Sequence, residues 1–267
     1  MPLASDPLDR VLEHEAGDLT CTVEAELRLS ALQEALAPHG QMLALDPPGD
    51  PTVGACLAAN LSGPRRHRYG TMRDLVIGVT VVLPDGTVAS SGGKVVKNVA
   101  GYDLAKLLCG SEGRLGRIVR LSLRLHPVPE ATATVVAPPD PDLALAVLRS
   151  TLVPSAVDVH WPDRLALLFE GSERAVAAQV EAARELIGAQ AAGEKIWAEA
   201  AERQAEARGR LSFAPGSLSD VLAGEDEAVV RVAAGVAYLP HEVPDQRDPT
   251  EIALVERIRA RFEGVSA

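Results

Sequence analysis

Three glycine-bearing loops are the parts of this 267-residue sequence whose residue types could do chemistry. They span residues 47–63, 92–104 and 110–118, and the first contains Thr52-Val53-Gly54-Ala55. Small side chains let a backbone approach a ligand closely, and successive N–H groups can hold an anion. Taken alone, the first loop is better explained as an irregular connector. The glycines of the other two also suit the tight turns of a β-α-β connection.

Other familiar chemistries lack their motifs. The sequence has no GxGxxG, Walker A, HExxH or GxSxG pattern, and its six histidines have no metal-ligand spacing, so we expect no metal site. Cys21, Cys56 and Cys109 form no CxxC pair. A disulfide framework, a zinc site and a four-thiolate iron–sulfur cluster are therefore not expected, and a reducing compartment is.

Charge and composition narrow the ligand class. The net charge of −11, the pI of about 5.1 and the 3% aromatic content argue against a general nucleic-acid binder. Residues 60–126 nevertheless contain eleven basic and only four acidic side chains. This basic segment suggests a local anionic ligand. On charge alone, a solvated face beside acidic neighbours is the better explanation.

The sequence also predicts where the protein resides. No apolar run approaches the roughly 18 residues that a membrane span needs. Residues 1–10 lack the hydrophobic core of a signal peptide. We therefore expect a cytoplasmic protein whose membrane association, if any, runs through partner subunits.

Hydrophobic periodicity predicts the elements that position the loops. Before residue 129 it predicts a strand at 20–25, a helix opened by a capping box at Ser30, a short helical turn at 56–59, a hairpin at 75–89, a helix capped by Asp103 and ended by Gly110, and a strand at 119–125.

The proline-rich segment 126–129 predicts a boundary between domains 1–129 and 130–267. Beyond it the pattern is β-α-β-β-α: strand 132–137, helix 141–151, strands 155–160 and 164–170, and a helix at 172–187 capped by Ser172. This order is most of a ferredoxin-like unit, so the fold class is α+β. A polar helix at 194–208, a strand at 228–238 and an amphipathic helix at 250–263 complete the second domain.

Several stretches, in order, resemble one known family. They are 40–43 running into 46–48, 63–66 with Arg73-Asp74, the specific run Val96-Lys97-Asn98-Val99-Ala100-Gly101-Tyr102-Asp103-Leu104, Gly110-Ser111, and Leu115-Gly116. Residues 18–129 thus resemble the FAD-binding domain of the vanillyl-alcohol oxidase/p-cresol methylhydroxylase (PCMH-type) flavoproteins. Within that family they resemble the smaller, FAD-binding subunit of bacterial glycolate oxidase.

The resemblance implies an FAD site between the two domains and assigns residues to it. Arg65, Arg66 and Lys97 are implied candidates for the pyrophosphate, and solvated arginines are an equal explanation for the first two. The FAD-binding residues implied are Pro48, Thr52, Val53, Gly54, Ala55, Asn60, Ser62, Gly63, Arg66, Tyr69, Lys97, Asn98, Gly101 and Ile118.

Two departures from the family pattern weaken the expected site. The family has a further lobe with a glycine-rich loop before the strand at Thr20, where this sequence has 19 residues, and a longer C-terminal tail. We therefore expect weak FAD binding by this chain alone. The family's histidine-rich cap motifs also have no counterpart after Pro129, so no catalytic residue is assigned.

The resemblance implies the FAD-binding subunit of a complex that oxidises glycolate, a 2-hydroxy acid, to glyoxylate. Its implied partners are a larger FAD-containing subunit and an iron–sulfur subunit. Two alternatives remain: a flavin-free assembly subunit of the same complex, and a self-sufficient FAD-linked D-2-hydroxyacid dehydrogenase.

Overall fold

The computed structural model describes residues 7–92 and 104–244, together with positions 250, 253, 256 and 257, which are helical. The chain divides into two compact units. The first contains residues up to Ser62, Gly70–Val128 and the described positions from 250 onward, which the prediction had placed in the second domain, and the second contains Gly63–Tyr69 and Pro129–Gln246. The prediction had left Gly63–Tyr69 with the first domain. Most of the helix predicted at 250–263 lies outside the described residues.

An antiparallel sheet forms the first unit, with strands in the order β1-β2-β6-β4-β5. A short ribbon pairs β3 with β7, and α2 packs against β6. The strands up to Val128 are β1 (Val11–Glu15), β2 (Thr20–Glu24), β3 (Gln41–Met42), β4 (Val76–Val82), β5 (Val88–Gly92), β6 (Arg117–Arg124) and β7 (His126–Pro127), and the helices are α1 (Leu29–Leu36), α2 (Val53–Ala58), α3 (Arg66–Tyr69, in the second unit), α4 (Met72–Leu75) and α5 (Leu104–Leu108).

The core of the first unit follows from the alternating pattern of β2 and β6. Cys21, Val23, Leu121 and Leu123 are fully buried and form the centre of this core. The predicted strands at 20–25 and 119–125 and the hairpin at 75–89 are confirmed. The sequence did not reveal β1, because its exposed charges mask the weak apolar signal of a five-residue edge strand.

The first helix begins before its predicted cap. Arg28 is the N-cap of α1, and Ser30 lies inside the helix. Both the backbone N–H and the hydroxyl of Ser30 donate to the Asp50 carboxylate, at 2.9 Å each. In a capping box that starts at Ser30, the side chain of Gln33 would accept from the Ser30 N–H. The Asp50 carboxylate, 20 residues away, accepts from it instead, and the Gln33 side chain bonds the backbone of Leu43.

The second unit is built on a seven-stranded sheet, and its remaining helices follow in chain order. Its elements are β8 (Ala131–Ala137), α6 (Pro141–Arg149), β9 (Ala156–Trp161), β10 (Arg164–Gly171), α7 (Glu173–Ile187), β11 (Gln190–Ala192), α8 (Lys195–Glu206), β12 (Gly209–Ser212), α9 (Leu218–Leu222), β13 (Ala228–Arg231) and β14 (Val236–Leu239).

The strand order β11-β8-β10-β9 is that of a ferredoxin-like unit, with every neighbouring pair antiparallel. The predicted β-α-β-β-α order of residues 131–187 is confirmed. So is the cap at Ser172, whose hydroxyl accepts from the Ala175 N–H at 3.4 Å. Strands β13, β14 and β12 extend the sheet beyond β9.

The strand predicted at 228–238 is wrong in extent, because two strands and a turn occupy it. Gly235, at φ +57°, places its Cα against the Phe213 carbonyl so closely that a Cβ would lie 2.0 Å from that oxygen. The residues of the turn are small and apolar, so the sequence pattern of 228–238 predicts one continuous strand.

The sheet of the second unit has one apolar face and one polar face. Val157, Leu165 and Leu167 point to the apolar face and belong to the core formed with α6 and α7. Asp158 and His160 alternate with these residues and lie on the opposite face, where α8 contacts β13. No helix among the described residues is long and apolar enough to cross a membrane.

Candidate functional site

In the first unit the fold brings the first and third glycine loops together at the end of α2. The Gly110 N–H donates to the Leu57 carbonyl at 3.0 Å, and the Glu112 N–H donates to the Ala58 carbonyl at 2.8 Å. Asn60 follows α2 with a φ of +48°, a conformation that asparagine tolerates better than most residues. Two segments 50 residues apart in sequence therefore form one local surface.

The backbone donors of the first loop are occupied within the unit. The Val53 N–H donates to Leu27 and the Gly54 N–H donates to Ala25, at 2.9 and 2.8 Å. The Ala55 N–H donates to the Thr52 side chain at 3.2 Å, which caps α2. These three N–H groups therefore are not the anion cradle that the glycine spacing suggests.

Two glycines of these loops have a packing reason for their identity. A Cβ on Gly54 would lie 2.8 Å from both the Cβ and the carbonyl oxygen of Ala25. A Cβ on Gly116 would lie 2.7 Å from the Val81 side chain and 2.8 Å from the Val82 carbonyl. Close backbone approach thus explains both glycines without a ligand.

Two buried polar atoms at the meeting point of the loops have no hydrogen-bond partner in the described structure. They are Asn60 Oδ1 and Ser111 Oγ. Gly110, which precedes Ser111, would place a Cβ 3.9 Å from the Asn60 Cβ, so the two atoms belong to one locality. An unpaired buried polar atom is costly, and native structures usually pair it with protein, water or ligand. This surface suits a ligand with hydroxyl and N–H groups.

Three other sequence-predicted residues of the first unit are described by the structure. Pro48 is half-buried, Ser62 is buried, and Ile118 is buried in β6. The register between β4 and β6 shifts beside Ile118, since Val81 pairs with it while Thr80 pairs with Arg120. Such a bulge re-aims the backbone locally. The predicted residues Lys97, Asn98 and Gly101 lie outside the described residues.

The predicted residues Gly63, Arg66 and Tyr69 belong instead to the second unit. The same segment carries Arg65, which donates to the fully buried Glu170 carboxylate at 2.7 Å. Arg68 donates to the Glu170 carbonyl at 2.6 Å. Part of the basic segment therefore neutralises a buried acid, so Arg65 has a structural role within the second unit.

Burial changes the ionisation of this segment. Burial lowers the pKa of Arg66, which hydrogen-bonds Tyr238, and burial lowers the pKa of His67, with Asp158 acting in the opposite direction. Burial also raises the pKa of Tyr69, and the Glu170 charge adds to the shift. His67 is therefore neutral near pH 7.

Sequence reasoning missed a buried charged cluster on the polar face. Asp158 and Arg231 form an ion pair with side chains only 1% and 2% exposed. His160 Nε2 lies 3.8 Å from Asp158 and has no hydrogen-bond partner among the described residues. Gln204 of α8 accepts from Arg231 at 2.5 Å. The available signal was a charge inside an apolar run, Asp158 in β9 and Arg231 in β13.

The thiols and the acidic groups offer little else. Burial raises the pKa of Cys56 to about 12, so it remains a protonated core thiol. Among the described residues, no group of three or more histidine, cysteine, aspartate or glutamate side chains is placed to hold a metal ion.

The antiparallel first sheet with its glycine-bearing loops, followed by a ferredoxin-like unit, is the fold of PCMH-type FAD-binding flavoproteins. Residues 3–92 match the FAD binding domain family. The solved structure of an alkyldihydroxyacetonephosphate synthase superposes on 96% of this chain and 61% of its own, with a TM-score of 0.65 and 18% identity. That likeness concerns the fold alone.

The curated relatives include glycolate oxidase subunits and D-lactate dehydrogenases. Glycolate oxidase subunit GlcE of Escherichia coli is 31% identical over 200 residues, which cover 73% of this chain and 56% of the relative. D-lactate dehydrogenase [cytochrome] 1 of Saccharomyces cerevisiae is 35% identical over 153 residues, 57% of this chain and 26% of the relative. Glycolate oxidase subunit GlcD of Bacillus subtilis is 37% identical over 132 residues, 49% of this chain and 28% of the relative.

Residues 3–92 therefore match an FAD binding domain, the chain as a whole is similar to glycolate oxidase subunits and D-lactate dehydrogenases, and FAD is the cofactor that the domain match supports. The chain spans between about a quarter and just over half of the length of these relatives. The unpaired Asn60 and Ser111 oxygens fit FAD, which carries hydroxyl and N–H groups able to bond them.

Proposed function

We propose that this chain is the FAD-binding subunit of a complex that oxidises glycolate to glyoxylate. The observation that carries the proposal is the extent of the GlcE match. At 200 residues it is longer than the stretch up to Val128, so it must continue into Pro129–Gln246, the main part of the second unit. The matches to D-lactate dehydrogenase and GlcD have higher sequence identity but cover fewer residues.

In this proposal the flavin, when bound, supplies the two-electron oxidation of the 2-hydroxy acid. The chain's own residues position the cofactor: Asn60 and Ser111 bond it, and the surface around Pro48 and Ile118 packs on it. The partners proposed are a larger FAD-containing subunit and an iron–sulfur subunit. The protein is proposed to be cytoplasmic and to reach a membrane only through those partners.

Purification from the native host tests the subunit assignment. We expect a chain tagged at its chromosomal locus to co-purify with an FAD-containing polypeptide and an iron–sulfur polypeptide, and the eluate to reduce an artificial acceptor with glycolate. Loss of that activity on deletion of the gene supports the assignment. A chain that elutes alone contradicts it.

A second candidate, a self-sufficient FAD-linked D-2-hydroxyacid dehydrogenase, is favoured by the 35% identity to D-lactate dehydrogenase. Turnover of D-lactate or glycolate by the purified chain without other subunits would establish it. The flavin-free alternative is favoured by the occupied N–H groups of Val53, Gly54 and Ala55.

The substitution Ser111→Ala separates cofactor binding from folding. Its hydroxyl is buried and has no partner in the part of the chain that the structure describes, so its removal should leave the free energy of unfolding unchanged or higher by up to about 1 kcal/mol. If the hydroxyl bonds FAD, the flavin content of the purified complex should fall about tenfold. Unchanged flavin content, measured after acid release, would remove Ser111 from the proposed site. The matched control is Ser219→Ala, on α9 of the second unit.

A further inference from the structure

Charged and aromatic side chains share a row on the polar face of the second unit. Directly opposite residues of antiparallel strands point to the same face. Arg210 of β12 lies opposite Tyr238 of β14, which lies opposite Val229 of β13. Arg231, two residues beyond Val229, therefore shares this face, and its guanidinium carbon lies 5.9 Å from the centre of the Tyr238 ring.

Arg66 brings a third guanidinium to the same tyrosine. Its side chain hydrogen-bonds Tyr238, and both Arg210 and Arg231 act on it as neighbouring positive charges. Asp158 matches the charge of Arg231 through their buried ion pair. The cluster of these five residues therefore contains three positive charges and one negative charge.

Such a convergence of like charges has a physical use. Guanidinium groups held together repel one another, and the repulsion is stronger where burial excludes water. A bound anion removes that cost. The planar guanidinium presents paired N–H donors that match a carboxylate, and the Tyr238 hydroxyl adds a further donor.

We propose that Arg66, Arg210 and Tyr238 form a binding site for a small carboxylate anion within the second unit. The choice of a carboxylate rests on the proposed function, in which substrate and product are both carboxylates. Inorganic phosphate shares the charge but lacks the planar shape. The neighbouring cavity of about 60 Å³ between α8 and β13–β14 also touches Tyr238, but two carboxylates, Glu206 and Glu227, line it against the single cation Arg203, which is paired with Glu227, so it does not suit an anion.

Calorimetric titration of the full chain with oxalate, glycolate and inorganic phosphate tests the site. We expect the carboxylates to bind more tightly than phosphate. Arg66→Gln and Arg210→Gln should each weaken oxalate binding about 10- to 100-fold, because each removes a charged hydrogen-bond donor. Tyr238→Phe should weaken it less. The control is Arg149→Gln, on the exposed face of α6, which should leave the affinity unchanged.

Two results would overturn the site: no binding of oxalate to the chain, or wild-type affinity in both Arg66→Gln and Arg210→Gln. Tighter binding of phosphate would overturn the carboxylate assignment. Arg210 is exposed, so Arg210→Gln keeps the test decisive if Arg66→Gln does not fold. The titration needs neither flavin nor partner subunits. A failure to co-purify partners would therefore contradict the proposed function and leave the titration result standing.

Discussion

Replacing Asp158 should destabilise the second unit strongly, because it leaves the buried Arg231 cation without its counter-ion. The Asp158 and Arg231 side chains are 1% and 2% exposed, so their mutual attraction is little weakened by solvent. Removing one partner of such a pair costs about 3–5 kcal/mol. Asp158→Asn keeps the volume and one acceptor oxygen for Arg231. We therefore expect a loss at the lower end, about 3 kcal/mol.

Tryptophan fluorescence is a selective assay for this loss. The two tryptophans of the chain, Trp161 and Trp197, both belong to the second unit. Urea unfolding followed at their emission thus reports that unit. A lower midpoint with an unchanged slope would show lost stability and not a change in the surface exposed on unfolding.

A double replacement shows whether charge is the cause. Asp158→Leu with Arg231→Met removes both charges, and such apolar replacements of buried pairs are often neutral. The double variant should therefore be more stable than either single variant. Asp226→Asn, an exposed acid of the same unit, is the control and should change stability by less than about 0.5 kcal/mol. A loss below about 1 kcal/mol in Asp158→Asn, or additive single losses, would refute the reasoning.

Three further outcomes follow from burial and packing. Gly54→Ala should destabilise the first unit by about 1–3 kcal/mol and speed amide exchange in β2, because the new Cβ meets Ala25 at 2.8 Å; unchanged exchange would show that the contact relaxes freely. Folding lowers the pKa of His67 below 6.5, so the unfolded chain takes up the proton first, and the second unit should lose stability as pH falls through 6.5. The variant His67→Gln should lack that part of the pH dependence of stability. A variant with the same pH profile as the wild type would contradict this explanation. Cys56 is buried and its pKa is raised to about 12, so it should resist iodoacetamide at pH 8. Burial also raises the pKa of Cys109, but this thiol is only half-buried, so it should react faster than Cys56, as mass spectrometry of the native protein can check.

Hydrophobic periodicity predicted most of the fold, because the helices and strands that it identified each bury one regular face. The alternation in β6 and the apolar stripe of α7 each predict an element whose position in the sheet then follows from ferredoxin-like topology. The prediction was wrong where a distant group replaced a local one. The Asp50 carboxylate bonds Ser30 across 20 residues, and no spacing rule describes that contact.

The candidate site was harder to predict than the fold, because its pairings are long-range. Arg65 and Glu170 meet across 105 residues, and Asp158 and Arg231 across 73. The sequence shows Asp158, Glu170 and Arg231 only as charges within apolar strands, and Arg65 only as one of several arginines in a basic segment. Which arginine neutralises an acid and which lies near Tyr238 depends on strand order and register, neither of which periodicity supplies.

The spacing of glycines and the search for buried polar atoms without hydrogen-bond partners indicate different residues for the cofactor surface. The search for unpaired polar atoms is the stronger guide. Gly54 and Gly116 are explained by backbone packing, and the N–H groups around Gly54 already have partners. A glycine can be present for either reason, so its presence does not discriminate between a turn and a ligand. A buried oxygen without a hydrogen-bond partner lowers the stability of the folded state, and packing contacts do not compensate for that loss. Asn60 and Ser111 are therefore the residues of these loops whose retention a bound cofactor explains best.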